Sequence, residues 1–145
     1  MLETPIIDII GEQDLLKMPP DASVIDASRN MADRHVGAVL VCENDELLGI
    51  ITEKDVVDRV VGAGLVPADT ILAHIMTPDP VGVAADDTAM QAIFAMRDHG
   101  TRHLLVKDGS DIVGIVSVRD LLRSVVGQVL SDQQRVEDLW EGFPI

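Results

Sequence analysis

Short apolar blocks separated by polar turns run through this chain, and they come in the same order twice. Val36–Cys42 is the longest clean apolar run and has the length of a β-strand. A second β-branched run, Leu48–Thr52, follows it after a polar turn, which is the pattern of a β-hairpin. Arg102–Val106 and Ile112–Ser117 repeat this pattern further along. The sequence therefore predicts two hairpins, one in each half of the chain.

Helices are predicted on both sides of each hairpin. Ser23 and Thr88 follow aspartates and precede apolar residues at helical spacing, which is typical of a helix N-cap. Thr52 and Ser117 are predicted to begin a second helix where each hairpin ends. With a short extended segment in front, each half has the order β-α-β-β-α. The two extended segments are Leu15–Met18 and Val81–Ala84.

The two halves are copies of one unit. When the sequence is shifted by 65 residues, 16–62 aligns with 81–127 without a gap, and 12 of the 47 aligned positions are identical. Neither copy is large enough to be stable alone, so we expect the two to bury faces against each other. The predicted fold is α/β (α+β), with two β-α-β-β-α repeats. The predicted domains are 1–65 (first repeat with an N-terminal segment), 66–130 (second repeat) and 131–145 (C-terminal tail).

The chain is strongly acidic, with 25 Asp and Glu against 11 Lys and Arg and a net charge of −14. Nucleic acid and anionic membrane surfaces repel such a chain, and no apolar run has the length of a membrane helix. We therefore expect neither as a partner. Cys42 is the only cysteine, so neither an intrachain disulfide nor a cysteine-built zinc site can form. With no secretory signal in residues 1–11, we expect a cytoplasmic protein.

The candidate chemistry lies in Thr52-x-x-Asp55 and its copy Ser117-x-x-Asp120. One interpretation is local: the hydroxyl caps the helix and the carboxylate completes a capping-box-like pair. The other is functional: a hydroxyl beside helical N–H groups binds a phosphate, and the carboxylate accepts hydrogen bonds from ribose hydroxyls. The residues alone leave both interpretations open.

Cations beside this motif are unevenly distributed between the copies. The second copy carries Arg102 and His103 at the start of a strand and Arg119 inside the motif. In the first copy the pair is replaced by Gly37-Ala38, and Lys54 stands at the position of Arg119. The Arg102–His103 pair is either the solvated end of a strand or a phosphate contact, and the residues alone leave both interpretations open.

The repeat resembles a pair of CBS (cystathionine-beta-synthase) domains. The resemblance rests on Gly-h-h-Thr/Ser-x-x-Asp in both copies (h is apolar), on the entry His74-Ile-Met-Thr-Pro78, and on the order of elements. It implies two repeats packed with pseudo-twofold symmetry and two clefts between them that bind an adenosine-containing ligand: AMP, ADP, ATP or S-adenosylmethionine. It also implies a homodimer and a regulatory role such as energy sensing.

The resemblance assigns residues of both copies to each cleft. In the first cleft it implies that Thr52 contacts phosphate and Asp55 contacts ribose. Val81 and Val83 flank adenine there, with Ile50 nearby. The side chains that face the phosphates are Arg102, His103 and Arg119. The second cleft takes Ser117 and Asp120 with Leu16, Lys17, Met18 and Lys54. Because Gly37 and Ala38 replace the basic pair there, we expect the first cleft to bind a phosphorylated adenosine better.

The expected function is a stand-alone regulatory module without enzyme activity, which binds its ligand and signals to a regulated protein. Two alternatives remain: a structural or protein-interaction subunit with empty or vestigial clefts, and a metal-responsive dimer that uses His99 and His103. Trp140 and Phe143 in the tail are candidates for a partner or dimer contact, or for packing onto the domain itself.

Overall fold

The computed structural model describes residues 3–129, which form two compact units. The first-repeat unit comprises 14–80, and the second-repeat unit comprises 3–13 together with 81–129. The β-α-β-β-α order predicted for each copy is confirmed. The elements in chain order are α1 (Ile6–Ile10), β1 (Lys17–Met18), α2 (Val24–Arg34), β2 (Ala38–Glu43), β3 (Glu46–Thr52), α3 (Glu53–Val56) with a π-helical turn (Val57–Val61), a 3₁₀ turn (Pro67–Asp69), α4 (Leu72–Ile75), β4 (Thr77–Pro78), β5 (Gly82–Ala84), α5 (Ala89–His99), β6 (His103–Asp108), β7 (Asp111–Ser117) and α6 (Val118–Val129).

The first-repeat unit is built on a four-stranded sheet with the order β1-β2-β3-β4. β1 runs parallel to β2, and the other pairs are antiparallel. α2 lays its apolar stripe on this sheet, because Val24, Ala27 and Met31 recur at helical spacing. The buried core of this unit consists of Val24, Ala27, Met31, Val39, Val41, Ile51, Val60, Leu72 and Ile75.

The second-repeat unit has a three-stranded sheet with the order β5-β6-β7, in which β5 is parallel to β6 and β7 is antiparallel to it. α5 packs on it as α2 does in the other unit. Its buried core consists of Ile6, Val83, Ala89, Ala92, Met96, Leu104, Val106, Val116 and Leu121. Both cores are aliphatic.

Both predicted N-caps are present. The Ser23 hydroxyl accepts from the Asp26 N–H, and the Thr88 hydroxyl accepts from the Gln91 N–H, which completes a capping box with the Gln91 side chain. Both helices then end on a left-handed residue, His35 in α2 and Gly100 in α5. The side-chain caps and αL ends fix each long helix between the extended segment and the hairpin.

The segment in front of each repeat packs in the unit of the other repeat. α4 precedes the second repeat in sequence but packs in the first-repeat unit, where Ile71 bridges to the cap residue Ser23. α1 precedes the first repeat but packs in the second-repeat unit, where Pro5 bridges to the cap residue Thr88. The second-repeat unit is thus completed by a helix that lies far away in sequence, whereas the first-repeat unit is completed by the helix that directly follows its own repeat.

The sequence predicted 1–65 and 66–130 as the two repeats, whereas the structure packs 3–13 in the second-repeat unit and 66–80, where Leu72 is fully buried, in the first-repeat unit. The physical reason is burial: Ile6 has no exposed surface, and Ile9 and Ile10 pack against the same core. The C-terminal tail with Trp140 and Phe143 lies outside the described residues. Among the residues that are described, every helix is too short or too polar to cross a membrane.

Candidate functional site

The end of β3 turns into α3 through a tight side-chain arrangement that we call the Asp55 corner (Thr52 and Asp55). The Thr52 N–H and its hydroxyl both donate to Oδ2 of Asp55, at 2.9 and 3.1 Å. The Asp55 N–H donates back to Oγ1 of Thr52 at 3.4 Å, which completes a capping box. Strand end, hydroxyl and carboxylate are therefore held together by residues only three apart.

The Asp120 corner (Ser117 and Asp120) repeats this geometry at the junction of β7 and α6. The Ser117 N–H and hydroxyl donate to Oδ2 of Asp120, at 2.8 and 2.9 Å. The Asp120 N–H donates to the Ser117 hydroxyl at 3.1 Å. Both predicted Thr/Ser–Asp pairs are thus formed, and all four residues are half-buried.

A backbone carbonyl directly before β2 or β6 accepts a hydrogen bond from the first helical N–H of each corner. The Glu53 N–H donates to the Gly37 carbonyl at 3.1 Å, and the Val118 N–H donates to the Arg102 carbonyl at 2.9 Å. The hydroxyl proton of each corner is held by the carboxylate. A ligand phosphate at Thr52 can therefore accept that proton only if the hydroxyl turns away from Asp55.

The charges around the two corners differ. In the first-repeat unit Lys54 is paired with Asp58, and Nε of Arg59 lies 3.7 Å from Oδ1 of Asp55. Ala38 is buried and Gly37 has no side chain, so the start of β2 carries no cation. The Asp55 carboxylate is therefore faced by a guanidinium from its own helix.

The second-repeat unit presents cations from its strand as well. Arg102 is exposed, and its side chain has no hydrogen bond or ion pair within residues 3–129. His103 follows it at the start of β6, opposite Ser117, and Arg119 is half-buried in the first turn of α6. Three of the predicted phosphate-facing residues thus lie next to or within the strand-to-helix junction of one unit.

The apolar residues predicted for the two clefts lie on strands of each unit or directly before them. Ile50 on β3 and Val83 on β5 are buried, at 7% and 9% exposure, and Val83 belongs to the core of its own unit. Val81, Leu16 and Met18 are half-buried and pack at the margin of the two cores. These three therefore keep surface that a planar base can contact, while Ile50 and Val83 keep little.

The structure brings the predicted site residues together by unit. Thr52, Asp55, Ile50, Lys54, Leu16, Lys17 and Met18 lie in the first-repeat unit, and Ser117, Asp120, Val81, Val83, Arg102, His103 and Arg119 lie in the second-repeat unit. Their combination into two shared clefts stays a prediction. Arg59 was missed in the sequence, although its position four residues after Asp55 places the two on one helical face.

Metal and thiol chemistry have little support in the described part of the chain. Residues 3–129 contain no group of three His, Cys, Asp or Glu side chains that could hold a metal ion. Nδ1 of His99 lies 2.9 Å from the Ala95 carbonyl oxygen of its own helix. Burial raises the pKa of the Cys42 thiol, Lys17 lowers it and Asp45 raises it, so the reactive thiolate is disfavoured.

Known proteins share this sequence pattern. The CBS domain family matches residues 6–62 and 72–127. CBS domain-containing protein CBSCBSPB3 of Arabidopsis thaliana is 34% identical over 115 residues, which make up 79% of this chain and 21% of the plant protein. The chain thus spans about a fifth of the length of that relative.

Solved structures share the fold. A CBS-domain containing protein from Agrobacterium tumefaciens has a TM-score of 0.79 and 28% identity, covering 86% of this chain and 95% of that chain. A CBS domain protein from Pyrobaculum aerophilum, solved complexed with AMP, has a TM-score of 0.74 and 22% identity, covering 88% of this chain and 99% of that chain. Because the two family matches take in most of the sequence, this chain belongs to the CBS domain family and is a tandem CBS pair, a regulatory module.

Proposed function

We propose that this tandem CBS pair binds an adenosine-containing ligand, AMP, ADP, ATP or S-adenosylmethionine, and thereby changes its association with a regulated protein. The observation that carries the proposal is the pair of equivalent corners, each presenting a half-buried Asp beside a Thr or Ser at a strand-to-helix junction. A protein of the same fold was solved complexed with AMP. The proposed role is regulatory rather than catalytic.

The chemistry of the corners suits a nucleoside. Oδ2 of Asp55 already accepts two hydrogen bonds, whereas Oδ1 faces Arg59 only at 3.7 Å and can accept from a ribose hydroxyl. In the second-repeat unit, Oδ1 of Asp120 has no hydrogen bond or ion pair within residues 3–129. A hydrogen bond to a carboxylate contributes about 1.5–3 kcal/mol, enough for one ribose contact to change affinity tenfold or more.

The proposal keeps the expected difference between the corners. A ligand held by Thr52 and Asp55 takes its phosphate contacts from the second repeat, through Arg102, His103 and Arg119. Arg102 supports this role because its guanidinium is exposed and carries no ion pair in the described part of the chain. The screening length is about 8 Å at physiological salt, so cations in contact with a bound phosphate outweigh acidic side chains farther away.

The assembly and location of the module are also proposed. We propose a cytoplasmic homodimer that responds to the energy state of the cell through its nucleotide. A ligand changes such an assembly only if it binds two arrangements of the protein with different affinity. The regulated protein has to be identified by experiment.

The test is calorimetric titration of AMP, ATP and S-adenosylmethionine into the wild-type protein, Asp55→Ala and Asp120→Ala. We expect one adenosine ligand to bind and Asp55→Ala to weaken it by at least about tenfold, because a charge-assisted ribose contact is lost. Asp120→Ala is expected to have the smaller effect on a phosphorylated ligand. A larger effect of Asp120→Ala contradicts the assignment of the corners.

A second candidate function is a protein-interaction subunit whose corners are only helix caps. It is favoured by the capping box of Thr52 and Asp55, in which the carboxylate and hydroxyl already satisfy each other. This candidate predicts that none of the adenosine ligands binds or raises the melting temperature. In contrast, a ligand present at 100 times its Kd adds about 2.7 kcal/mol of stability.

A further inference from the structure

Arg59 links the Asp55 corner to the end of α4. Its Nε lies 3.7 Å from Oδ1 of Asp55, and its Nη1 donates to the Ile75 carbonyl at 2.8 Å. The Asp55 side chain is only 14% exposed, whereas that of Arg59 is 46% exposed. One guanidinium therefore spans a half-buried carboxylate and a helix-terminal carbonyl that has no partner within its own helix.

The segment held by Arg59 leads back to the same corner. Ile75 ends α4 and is followed by Thr77–Pro78, the strand that pairs with Gly49 and Ile50 of β3. β3 in turn ends at Thr52. Arg59 thus connects Asp55 to the end of α4 through its two contacts. β4 and β3 connect the end of α4 back to Thr52 through the chain and their strand pairing.

The second repeat lacks this link. The position equivalent to Arg59 is Ser124, which cannot reach across in the same way or supply a charge. Asp120 has no ion pair within residues 3–129. Within residues 3–129 the two corners therefore share their hydrogen bonds, and an ion pair of the carboxylate with its own helix is present at the first corner.

We propose that Arg59 is a positioning residue that holds the Asp55 carboxylate, offsets its charge toward an anionic adenosine ligand, and ties that corner to the α4–β4 segment. The ligand part rests on the proposed function. Arg59 keeps Oδ1 oriented for a ribose hydroxyl while reducing the repulsion between Asp55 and the ligand phosphates. Because its second contact is Ile75, a change at the corner is passed to residues 75–78, which continue directly into the second repeat.

The first experiment measures the link without any ligand. Amide hydrogen exchange of 72–78 is compared in the wild-type protein, Arg59→Gln and the matched control Ser124→Gln, which places the same side chain at the equivalent position. We expect exchange of the Met76 amide and of the β3–β4 pairs to become about fivefold faster in Arg59→Gln, since local opening loses one anchor. Ser124→Gln leaves these amides unchanged. Unchanged exchange in Arg59→Gln overturns the tie to α4.

The second experiment measures affinity for AMP and for uncharged adenosine. Arg59→Gln is expected to weaken AMP about three- to fivefold, the range of a half-exposed ion pair, and to weaken adenosine less. Arg59→Lys keeps the charge and is expected to restore most of the preference for AMP without restoring the slow exchange of 72–78. An equal loss for AMP and adenosine overturns the charge role.

A double variant separates positioning from general damage. In the Asp55→Asn background, Arg59→Gln is expected to have no further effect on AMP affinity, because Arg59 acts through the carboxylate. A full additional loss overturns the positioning role. If the wild-type protein binds neither AMP nor adenosine, the proposed function and the ligand part of this proposal fail together, while hydrogen exchange still decides the tie to α4.

Discussion

The Asp55 corner and the Asp120 corner are built with the same three hydrogen bonds, yet different charges surround them. Backbone geometry and capping depend on short-range spacing, and the repeat has kept both. The cations depend on single positions, where Arg59 stands against Ser124 and Gly37 against Arg102. The same corner hydrogen bonds therefore stand in two different charge environments.

The same two units differ at the outer edge of the sheet. In the first-repeat unit β3 is covered by the backbone of β4, through Gly49 and Ile50. In the second-repeat unit the matching place on β7 is taken by one side chain: Gln13 donates to the Ile115 carbonyl at 3.0 Å and accepts from its N–H at 2.8 Å. A single amide side chain thus replaces a short strand.

The largest effect on stability is expected from truncating the buried side chains by which α1 and α4 pack into the cores. Ile6 in α1 and Leu72 in α4 have no exposed surface. We expect Ile6→Ala and Leu72→Ala each to lower the free energy of unfolding by about 2–5 kcal/mol, because each leaves a cavity. Chemical denaturation measures this. The neighbour Ile7, 36% exposed, is the control, and an equal loss in Ile7→Ala would contradict the role of Ile6.

A smaller effect on stability is expected from adding a Cβ to the glycine at each covered sheet edge, Gly49 on β3 and Gly114 on β7. A Cβ at Gly49 would lie 2.7 Å from the backbone oxygen of Thr77, whereas a Cβ at Gly114 would meet side-chain ends, Cδ1 of Ile10 at 2.5 Å and Oε1 of Gln13 at 2.9 Å. Side-chain ends can move and a paired strand cannot. We expect Gly49→Ala to cost about 1–3 kcal/mol and Gly114→Ala less. Thermal unfolding of both variants tests the order, and the reverse order would refute it.

Gln13 itself provides the next comparison. Gln13→Ala removes both hydrogen bonds to Ile115, and we expect a loss of about 1 kcal/mol, since these bonds are exposed to water. Glu12→Ala, one residue earlier on an exposed side chain, is the matched control and is expected to change stability little. If both variants unfold at the same denaturant concentration, Gln13 does not act as a substitute strand.

The smallest effect concerns Cys42, which stands where the second repeat has Lys107. Because burial raises the pKa of the Cys42 thiol, a smaller fraction is thiolate at pH 8 than in an exposed cysteine. Alkylation by iodoacetamide is therefore expected to be slow at pH 8 and to rise only at a higher pH than for an ordinary thiol. Mass spectrometry of native and denatured protein compares the rates, and equal rates would contradict the prediction.

Local pattern predicted most of each repeat. The caps Ser23 and Thr88, both hairpins and the Thr52–Asp55 spacing are decided by residues close together in sequence, so a single sequence carries them. The placement of α1 depends on which of the two cores it packs against. The sequence of a short apolar helix does not indicate which core that is.

The charge pattern of the site was predicted less completely. The spacing of four between Asp55 and Arg59 is a local signal for their ion pair, but the second contact of Arg59, the Ile75 carbonyl sixteen residues further along the chain, has no such signal. The π-helical turn Val57–Val61 also has no evident sequence signal. Contacts between residues that are distant in sequence cannot be predicted from local spacing.

The crossing of α1 sets an order of events during synthesis. Residues 3–13 leave the ribosome well before the strands and helices that they complete, 81–129. The first-repeat unit is contiguous, from 14 to 80, so all of its residues are made before 81–129 are complete. Until 81–129 have been made, α1 has no core to pack against, and contacts between residues so far apart in sequence form slowly. The second-repeat unit is thus complete only when residues 3–13 pack against 81–129.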